Sequence, residues 1–220
     1  EMYRSPRFLE LDPLTAIANL VEPEYQKKIN KRILSRLRSA HLRGCPQELS
    51  SCVDSGEREY LPRGITGTLS TLDFIDSGLN VCILGPSDSG KPYLAKAIGI
   101  TACNNYKVEY HHCETLLEEM VALKVTDYSK YQKRMKKTCG ATLLILDDFL
   151  LHTITDEREV KVLFEILEKR CEINLSTIIC SQREPASWSS MILNDEVSSN
   201  AIMKRATRHY TVVIKPKISG

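Results

Sequence analysis

Two patterns of apolar residues alternate along the chain. Short, nearly unbroken apolar runs mark strands buried on both faces of a parallel sheet, and longer stretches with apolar residues every third or fourth position mark helices packed against it. The first pattern occurs at Asn80 to Leu84 (NVCIL), within Ala141 to Leu151 (ATLLILDDFLL), at Leu175 to Gln182 (LSTIICSQ) and at His209 to Ile214 (HYTVVI). Lys107 to His111 (KVEYH) alternates and reads as a further strand. The second pattern predicts helices over Tyr93 to Cys103, Glu114 to Leu123, Asp127 to Lys137, Asp156 to Ile173 and Glu196 to Arg208, with a short one over Thr66 to Ile75. The expected fold is of the α/β class.

Ahead of this pattern, Glu1 to Pro13 is polar without clear period, and helical patterning begins near Leu14. The stretch EYQKKINKRILSRLRSAHLR places Ile29, Ile33, Leu34 and Leu37 at helical spacing, surrounded by Lys27, Lys28, Lys31, Arg32, Arg36, Arg38 and Arg43. Such a helix contacts DNA phosphates, docks a partner, or simply packs on the domain with a solvated basic face. A second basic stretch, Asp127 to Lys137, carries Lys133, Arg134, Lys136 and Lys137 beside Tyr128 and Tyr131, and either follows a nucleic-acid backbone with aromatic contacts or is a plain helix with an exposed basic face. Gly44 to Ser55 reads as a linker by its Gly, Pro and Ser. The expected organisation is an N-terminal helical, basic segment and linker over residues 1–55, then a nucleotide-binding domain over residues 56–220. The chain opens on Glu1 rather than Met, as expected if the natural amino terminus is longer.

Composition narrows the class. At 220 residues, with 42% hydrophobic and 26% charged residues, the chain suits one sizeable soluble domain with an appendage. A net charge of +2 confines any nucleic-acid surface to a local patch. The eight cysteines form no C-x-x-C pair, and several fall inside apolar patterns, so a reduced cytosolic protein is expected. No apolar run reaches membrane-spanning length, and no signal-peptide pattern is present.

The chemistry concentrates between the first strand and the helix after it, in GPSDSGKP (Gly85, Pro86, Ser87, Asp88, Ser89, Gly90, Lys91 and Pro92), with Tyr93 following. Strand, Gly-rich turn and helix form the context of a phosphate-binding loop, whose backbone N–H groups and helix N-terminus face phosphate oxygens. Lys91 would place an ammonium between the outer phosphates. The pattern's last position, a hydroxyl residue, is here Pro92, which offers neither a hydroxyl for Mg²⁺ nor an N–H for phosphate. Downstream, a buried strand ends in Asp147 and Asp148. After a phosphate loop this is a Walker B element, in which Asp147 holds Mg²⁺ directly or through water and Asp148 orients or deprotonates the attacking water. Ser181 and Gln182 end the next strand, where a polar side chain can bond water or the terminal phosphate or simply cap the strand. Arg63 either approaches the base or ribose or stays on the surface. His111, His112 and Cys113 suggest a metal site, but without a second ligand pair they read better as a satisfied strand-end cluster.

The order of motifs is that of AAA+ ATPases. The segments NVCILGPSDSGKPYLAKAIGITAC, LLILDDF, LFEILEKRCEINLSTIICSQREPASW and AIMKRATRHYTVVIK resemble the IstB-like ATP-binding helpers of insertion-sequence transposition, relatives of DnaC-type helicase loaders. The resemblance runs from about Arg58 to Ile214, and STIICSQ followed by Trp188 is its most distinctive part. It implies an AAA+ P-loop NTPase of ASCE type, with a parallel five-stranded sheet ordered 5-1-4-3-2 and flanked by helices. It also implies ATP and Mg²⁺ as cofactors, Gly85 to Lys91 as phosphate cradle, Gln182 as sensor, and Arg205 as the arginine that reaches a neighbouring subunit's nucleotide. A nucleotide-dependent homo-oligomer on double-stranded DNA, a transposase partner and a bacterial cytoplasmic location follow from the same resemblance. The family carries Gly at the position of Asp88, Ser or Thr at that of Pro92, and usually an acidic residue at that of Lys204. Three functional readings result: a transposition helper with weakened ATPase activity, a pseudo-ATPase that binds DNA and partners, and a DnaC-like helicase loader.

Overall fold

The computed structural model describes residues 12–55, 57–192 and 196–217. A long helix, α1 (Pro13–Ser39), opens it; the Asp12 side chain accepts from the N–H groups of Leu14 and Thr15 at 3.0 and 3.1 Å and starts the helix. Its first half leaves Leu14, Ile17, Val21 and Tyr25 exposed, while Leu37 near its end packs on the domain core. Within the stretch read as a linker, Cys52 is fully buried, and Leu42 just ahead of it joins the same core.

The remaining elements are β1 (Arg58–Leu61), α2 (Ile65–Ser70), α3 (Asp73–Asp76), β2 (Val81–Leu84), α4 (Lys91–Ala102), β3 (Val108–His112), α5 (Cys113–Thr126) and α6 (Tyr128–Cys139). They continue with β4 (Leu143–Asp147), α7 (Glu157–Glu172), β5 (Ser176–Ser181), α8 (Trp188–Met191), α9 (Glu196–Ala206) and β6 (Tyr210–Pro216). The sheet order is β1-β6-β2-β5-β4-β3. Five strands run parallel in the expected order, and β1 adds a sixth, antiparallel to β6 with Arg58 opposite Pro216. The five-strand expectation is corrected by this edge strand. Its four residues are too short to show a period, and the partner that makes them a strand lies at the far end of the chain.

Two further differences are local. The single helix expected over Thr66 to Ile75 is split, because Leu72 takes a left-handed backbone (φ 63°) between α2 and α3. Helix α4 begins at Lys91, two residues before the predicted start, and accommodates Pro92 in its first turn, where a missing N–H breaks no helical bond. Asp127 and Asp156, placed inside predicted helices, instead cap α6 and α7 by accepting from the N–H groups of Lys130 (3.0 Å) and Arg158 (2.8 Å).

The pleat sends alternate strand residues to opposite faces. Val81, Ile83, Leu143, Ile145, Ile178, Cys180, Val212 and Ile214 pack under α4 together with Leu42, Leu69 and Phe74. Cys82, Leu84, Leu144, Leu146 and Ile179 pack under α5, α6 and α7. Helix α4 approaches the sheet at Gly99, where a Cβ would lie 2.9 Å from both Ile145 Cδ1 and Leu42 Cδ1. Arg170 of α7 is buried between the end of α6 and the starts of β4 and β5. It donates to the carbonyls of Thr138, Cys139, Ala141 and Ser176 and to Thr177 Oγ1. Among the described residues, no helix is long and apolar enough to cross a membrane.

Candidate nucleotide site at the carboxyl ends of the strands

Parallel strands gather their carboxyl ends, and the predicted chemistry meets there. The loop Gly85–Gly90 leaves β2, Asp147 ends β4, and Gln182 follows β5, which lies between those two strands. The register sets Leu84 beside Ser181 and His112 beside Asp147.

Lys91 is buried, and its Nζ donates to the carbonyls of Gly85 (2.8 Å) and Pro86 (2.6 Å), so the ammonium is folded into its own loop. Burial pulls its pKa below the ordinary value, while Asp147 and Asp148 act to hold it up. Ser89 Oγ is buried in the same loop without a hydrogen-bond partner. An unpaired buried hydroxyl carries a desolvation cost, and a phosphate oxygen is the kind of acceptor that would remove it. Gly90 (φ 96°) turns the chain into α4, and the Arg58 guanidinium of β1 lies within 3.2 Å of where a Cβ would stand there. Arg63, the residue singled out from the sequence, is exposed and pairs with Glu59 at 3.8 Å. Asp88 also has a left-handed backbone (φ 59°), a conformation in which glycine is unstrained and aspartate is tolerated.

Asp147 is buried and accepts from Tyr110 Oη and from the backbone N–H of Asp148 (3.0 Å). Burial, then the Asp147 carboxylate, pushes the Tyr110 hydroxyl up, so it stays a proton donor to Asp147. Sequence reasoning did not single out Tyr110; its only signal was its inward position near the end of the strand beside β4. Asp148 (φ 53°) turns away from the strand and lies 3.1 Å from His112 Nδ1. His111 points elsewhere, to Glu109 at 2.8 Å, and Cys113 is buried. The three neighbours in sequence therefore do not converge; among the described residues the group with metal-ligand geometry is His112, Asp147 and Asp148.

Gln182 is exposed and lines a cleft of about 450 Å³ with Gly85, Pro86, Arg183 and Lys215. Ser181 is committed to structure: its Oγ donates to the Phe149 carbonyl (2.8 Å) and accepts from the Arg183 N–H (3.1 Å). Trp188 fixes the same corner, with Nε1 donating to the Arg183 carbonyl at 3.1 Å and its ring packed on Phe149. Arg205 sits at the other end of the sheet. Its carbonyl accepts from Asn80 Nδ2 (2.7 Å) at the start of β2, and its guanidinium pairs with Glu168 and lies over the Phe164 ring.

The basic candidates divide. Lys27, Lys28, Lys31 and Arg32 are exposed along α1, whereas Arg36 donates to the carbonyls of Cys103 and Asn104. Lys133 and Lys136 are exposed on α6, but Arg134 binds Glu119 and Glu109, and Lys137 binds Glu109 at 2.8 Å. Burial alone would raise the Glu109 pKa; the bonds from His111 and Lys137 outweigh it and hold the carboxyl at about 2, against an ordinary 4.5. A depressed carboxyl stabilises the fold above about pH 4.5, and that stabilisation is lost as pH falls toward 2. Glu109→Gln is expected to cost about 2 kcal/mol at pH 7. Urea unfolding at stepped pH should show the gap to wild type narrowing below about pH 4.5; a gap independent of pH would refute the assignment.

A glycine-rich loop with a buried lysine, two carboxylates on the strand one removed, and a parallel sheet in the order observed define a P-loop nucleotide-binding domain of the AAA+ type. Solved structures agree on the fold. AMPPCP-bound DnaA from Aquifex aeolicus superposes with a TM-score of 0.62 at 18% identity, covering 78% of this chain and 50% of that one. The DnaC helicase loader gives 0.59 at 19% identity, covering 78% of this chain and 98% of its own. The family model described as IstB-like ATP binding protein matches residues 10–217, and the chain belongs to that family. An insertion sequence ATP-binding protein of Sinorhizobium fredii is 34% identical over 190 residues, covering 86% of this chain and 74% of that protein. The IS232 ATP-binding protein of Bacillus thuringiensis is 32% identical over 144 residues, covering 65% of this chain and 56% of that protein.

Proposed function

We propose that this chain is a nucleotide-binding helper of insertion-sequence transposition that assembles on double-stranded DNA and directs a transposase to its target, with hydrolysis slowed by its altered loop. The observation that carries this reading is the division of the site. Lys91, Asp147 and Asp148 gather at one end of the sheet, and Arg205 lies at the other. The four residues of β2 alone span about 13 Å, beyond the reach of an arginine side chain. This separation supports reading Arg205 as an arginine that would act in trans, on a nucleotide presented by a neighbouring copy.

Within the site, loop N–H groups from Gly85 to Lys91 would cradle phosphates, and Lys91 would exchange its loop carbonyls for phosphate oxygens. Asp147, held by Tyr110, would carry Mg²⁺, which supplies charge neutralisation on the outer phosphates when bound. Asp148 would orient water and Gln182 would contact it or the terminal phosphate. The exposed set Lys27, Lys28, Lys31, Arg32, Lys133 and Lys136 is the DNA-facing candidate. Pro92 favours a second reading, a pseudo-ATPase that keeps the DNA and partner surfaces without turnover. The likeness to DnaC supports the fold and does not favour helicase loading over transposition.

Sedimentation velocity on duplex DNA tests the proposal. With a non-hydrolysable ATP analogue and Mg²⁺, the wild-type protein is expected to shift to a larger species, and Arg205→Ala to bind the analogue without shifting. No analogue-dependent assembly by the wild type, or full assembly by Arg205→Ala, would count against the trans arrangement.

A further inference from the structure

The strand ends hold one group that the phosphate-loop reading leaves unused. His112 closes β3 directly opposite Asp147, and it is the residue before α5, yet its imidazole makes no capping bond to that helix. A ring nitrogen of His112 and one oxygen each from Asp147 and Asp148 lie within 4.8 Å of one another. Donors facing each other across an ion at bond lengths of about 2.0–2.3 Å stand up to roughly 4.5 Å apart. A small adjustment thus closes all three on one cation.

The surroundings of Asp147 suit a cation there. Asp147 is 1% exposed, and its partners, Tyr110 Oη and the Asp148 N–H, are both neutral. No cationic side chain among the described residues bonds it, because the Lys91 ammonium is turned into loop carbonyls. The ammonium acts on Asp147 and Asp148 only through space, so the two adjacent carboxylates keep oxygen lone pairs for a cation bound between them. The loop, for its part, presents Pro92 where a hydroxyl would complete a metal's ligand set, so the protein's remaining donors lie on the strand side.

We propose that His112 is a third protein ligand to the divalent cation of this site, with Asp147 and with one oxygen of Asp148, whose other oxygen is left for the water it orients, and that the imidazole nitrogen moves the site's preference from Mg²⁺ toward Mn²⁺. The inference rests on the reading of Asp147 as the cation carboxylate. Mg²⁺ is hard, favours oxygen donors and gives up water reluctantly, whereas first-row ions such as Mn²⁺ accept imidazole nitrogen. Ligation through the nitrogen facing Asp148 requires the neutral ring with its proton on the other nitrogen. The side chain is about half exposed, so it can turn without disturbing the core.

The test is Mn²⁺ binding by the intact chain, followed by loss of the free-ion electron paramagnetic resonance signal, with Mg²⁺ as competitor. Pulsed measurements then read nitrogen coupling to the bound ion. Wild type is expected to show ¹⁴N coupling. His112→Ala is expected to lose it and to weaken Mn²⁺ about tenfold while Mg²⁺ competition barely changes. His112→Gln, similar in size, repeats the comparison with an oxygen donor, and His111→Ala should keep the coupling. Absence of ¹⁴N coupling in wild type, or its persistence in His112→Ala, overturns the proposal. Asp147→Asn separates the two levels. If it abolishes Mn²⁺ binding while His112→Ala changes nothing, only the imidazole assignment fails. If Asp147→Asn binds Mn²⁺ as wild type does, the cation reading of the β4 carboxylates fails with it.

Discussion

The double substitution Asp88→Gly, Pro92→Thr is expected to tighten Mg–ATP binding by about a hundredfold. Two hydrogen-bonding groups are restored together: the backbone N–H at position 92, which lies in the first turn of α4 where it has no helical acceptor, and a hydroxyl on the same residue. A hydrogen bond to a charged group contributes on the order of 1.5–3 kcal/mol, and each ~1.4 kcal/mol is tenfold in affinity. Removing the Asp88 carboxylate from the loop tip also removes repulsion toward phosphates, and glycine is unstrained at the positive φ found there. The fold should be indifferent, since Pro92 breaks no helical bond. Titration calorimetry on both proteins decides the matter. Micromolar binding by the wild type with little gain on substitution would show that the loop tolerates both changes, and the working-ATPase reading would stand. Binding seen only after substitution would assign the wild type to the pseudo-ATPase reading. Absence in both would remove the phosphate-loop assignment.

Arg170→Met is expected to destabilise the protein by about 3–5 kcal/mol, measured by urea unfolding with circular dichroism. Arg170 is 1% exposed, and among the described residues its guanidinium has no carboxylate partner; it is held by four backbone carbonyls and one hydroxyl. Methionine fills similar volume, so the loss isolates the polar contacts rather than a cavity. Those carbonyls belong to the end of α6 and the entries to β4 and β5, and unpaired they would carry a desolvation cost of ~1–3 kcal/mol each before relaxation. Burial lowers the Arg170 pKa to about 10, still well above neutral pH, so the side chain remains charged under assay conditions. A loss below about 1 kcal/mol would mean that water or local rearrangement satisfies these groups. Because Asp147 ends β4, a shifted strand should also weaken cation binding.

Much of the fold was legible in the sequence because the parallel strands are buried on both faces. Burial on two sides forces runs such as LLIL and TIIC, which no surface element shows, and each run ends where its chemistry begins. The glycine-rich loop was legible for a related reason: its backbone path constrains residue type at Gly90, and Lys91 follows at fixed spacing. Strand β1 was not legible, since four residues carry no period and their pairing is set by β6. Tyr110 and Arg170 were invisible too. A tyrosine in a strand and an arginine in an amphipathic helix look ordinary until packing places them against a buried carboxylate and a set of carbonyls.

The basic residues show the same limit from the other side. Composition gave Lys133, Arg134, Lys136 and Lys137 equal standing, but helical geometry and the position of Glu109 and Glu119 tie down Arg134 and Lys137 and leave the other two free. By itself, then, the sequence determined the class of fold, the order of its parallel strands through a family resemblance, the glycine-rich loop after the first parallel strand and the acidic strand end. These are local or periodic features, written in consecutive residues. The tertiary structure alone decided that Lys91 is folded into its loop, that His112 faces Asp148, and that Arg205 pairs with Glu168 at the far end of the sheet. Each of these depends on which strand ends or helices lie side by side, and sheet order, not sequence neighbourhood, sets that adjacency.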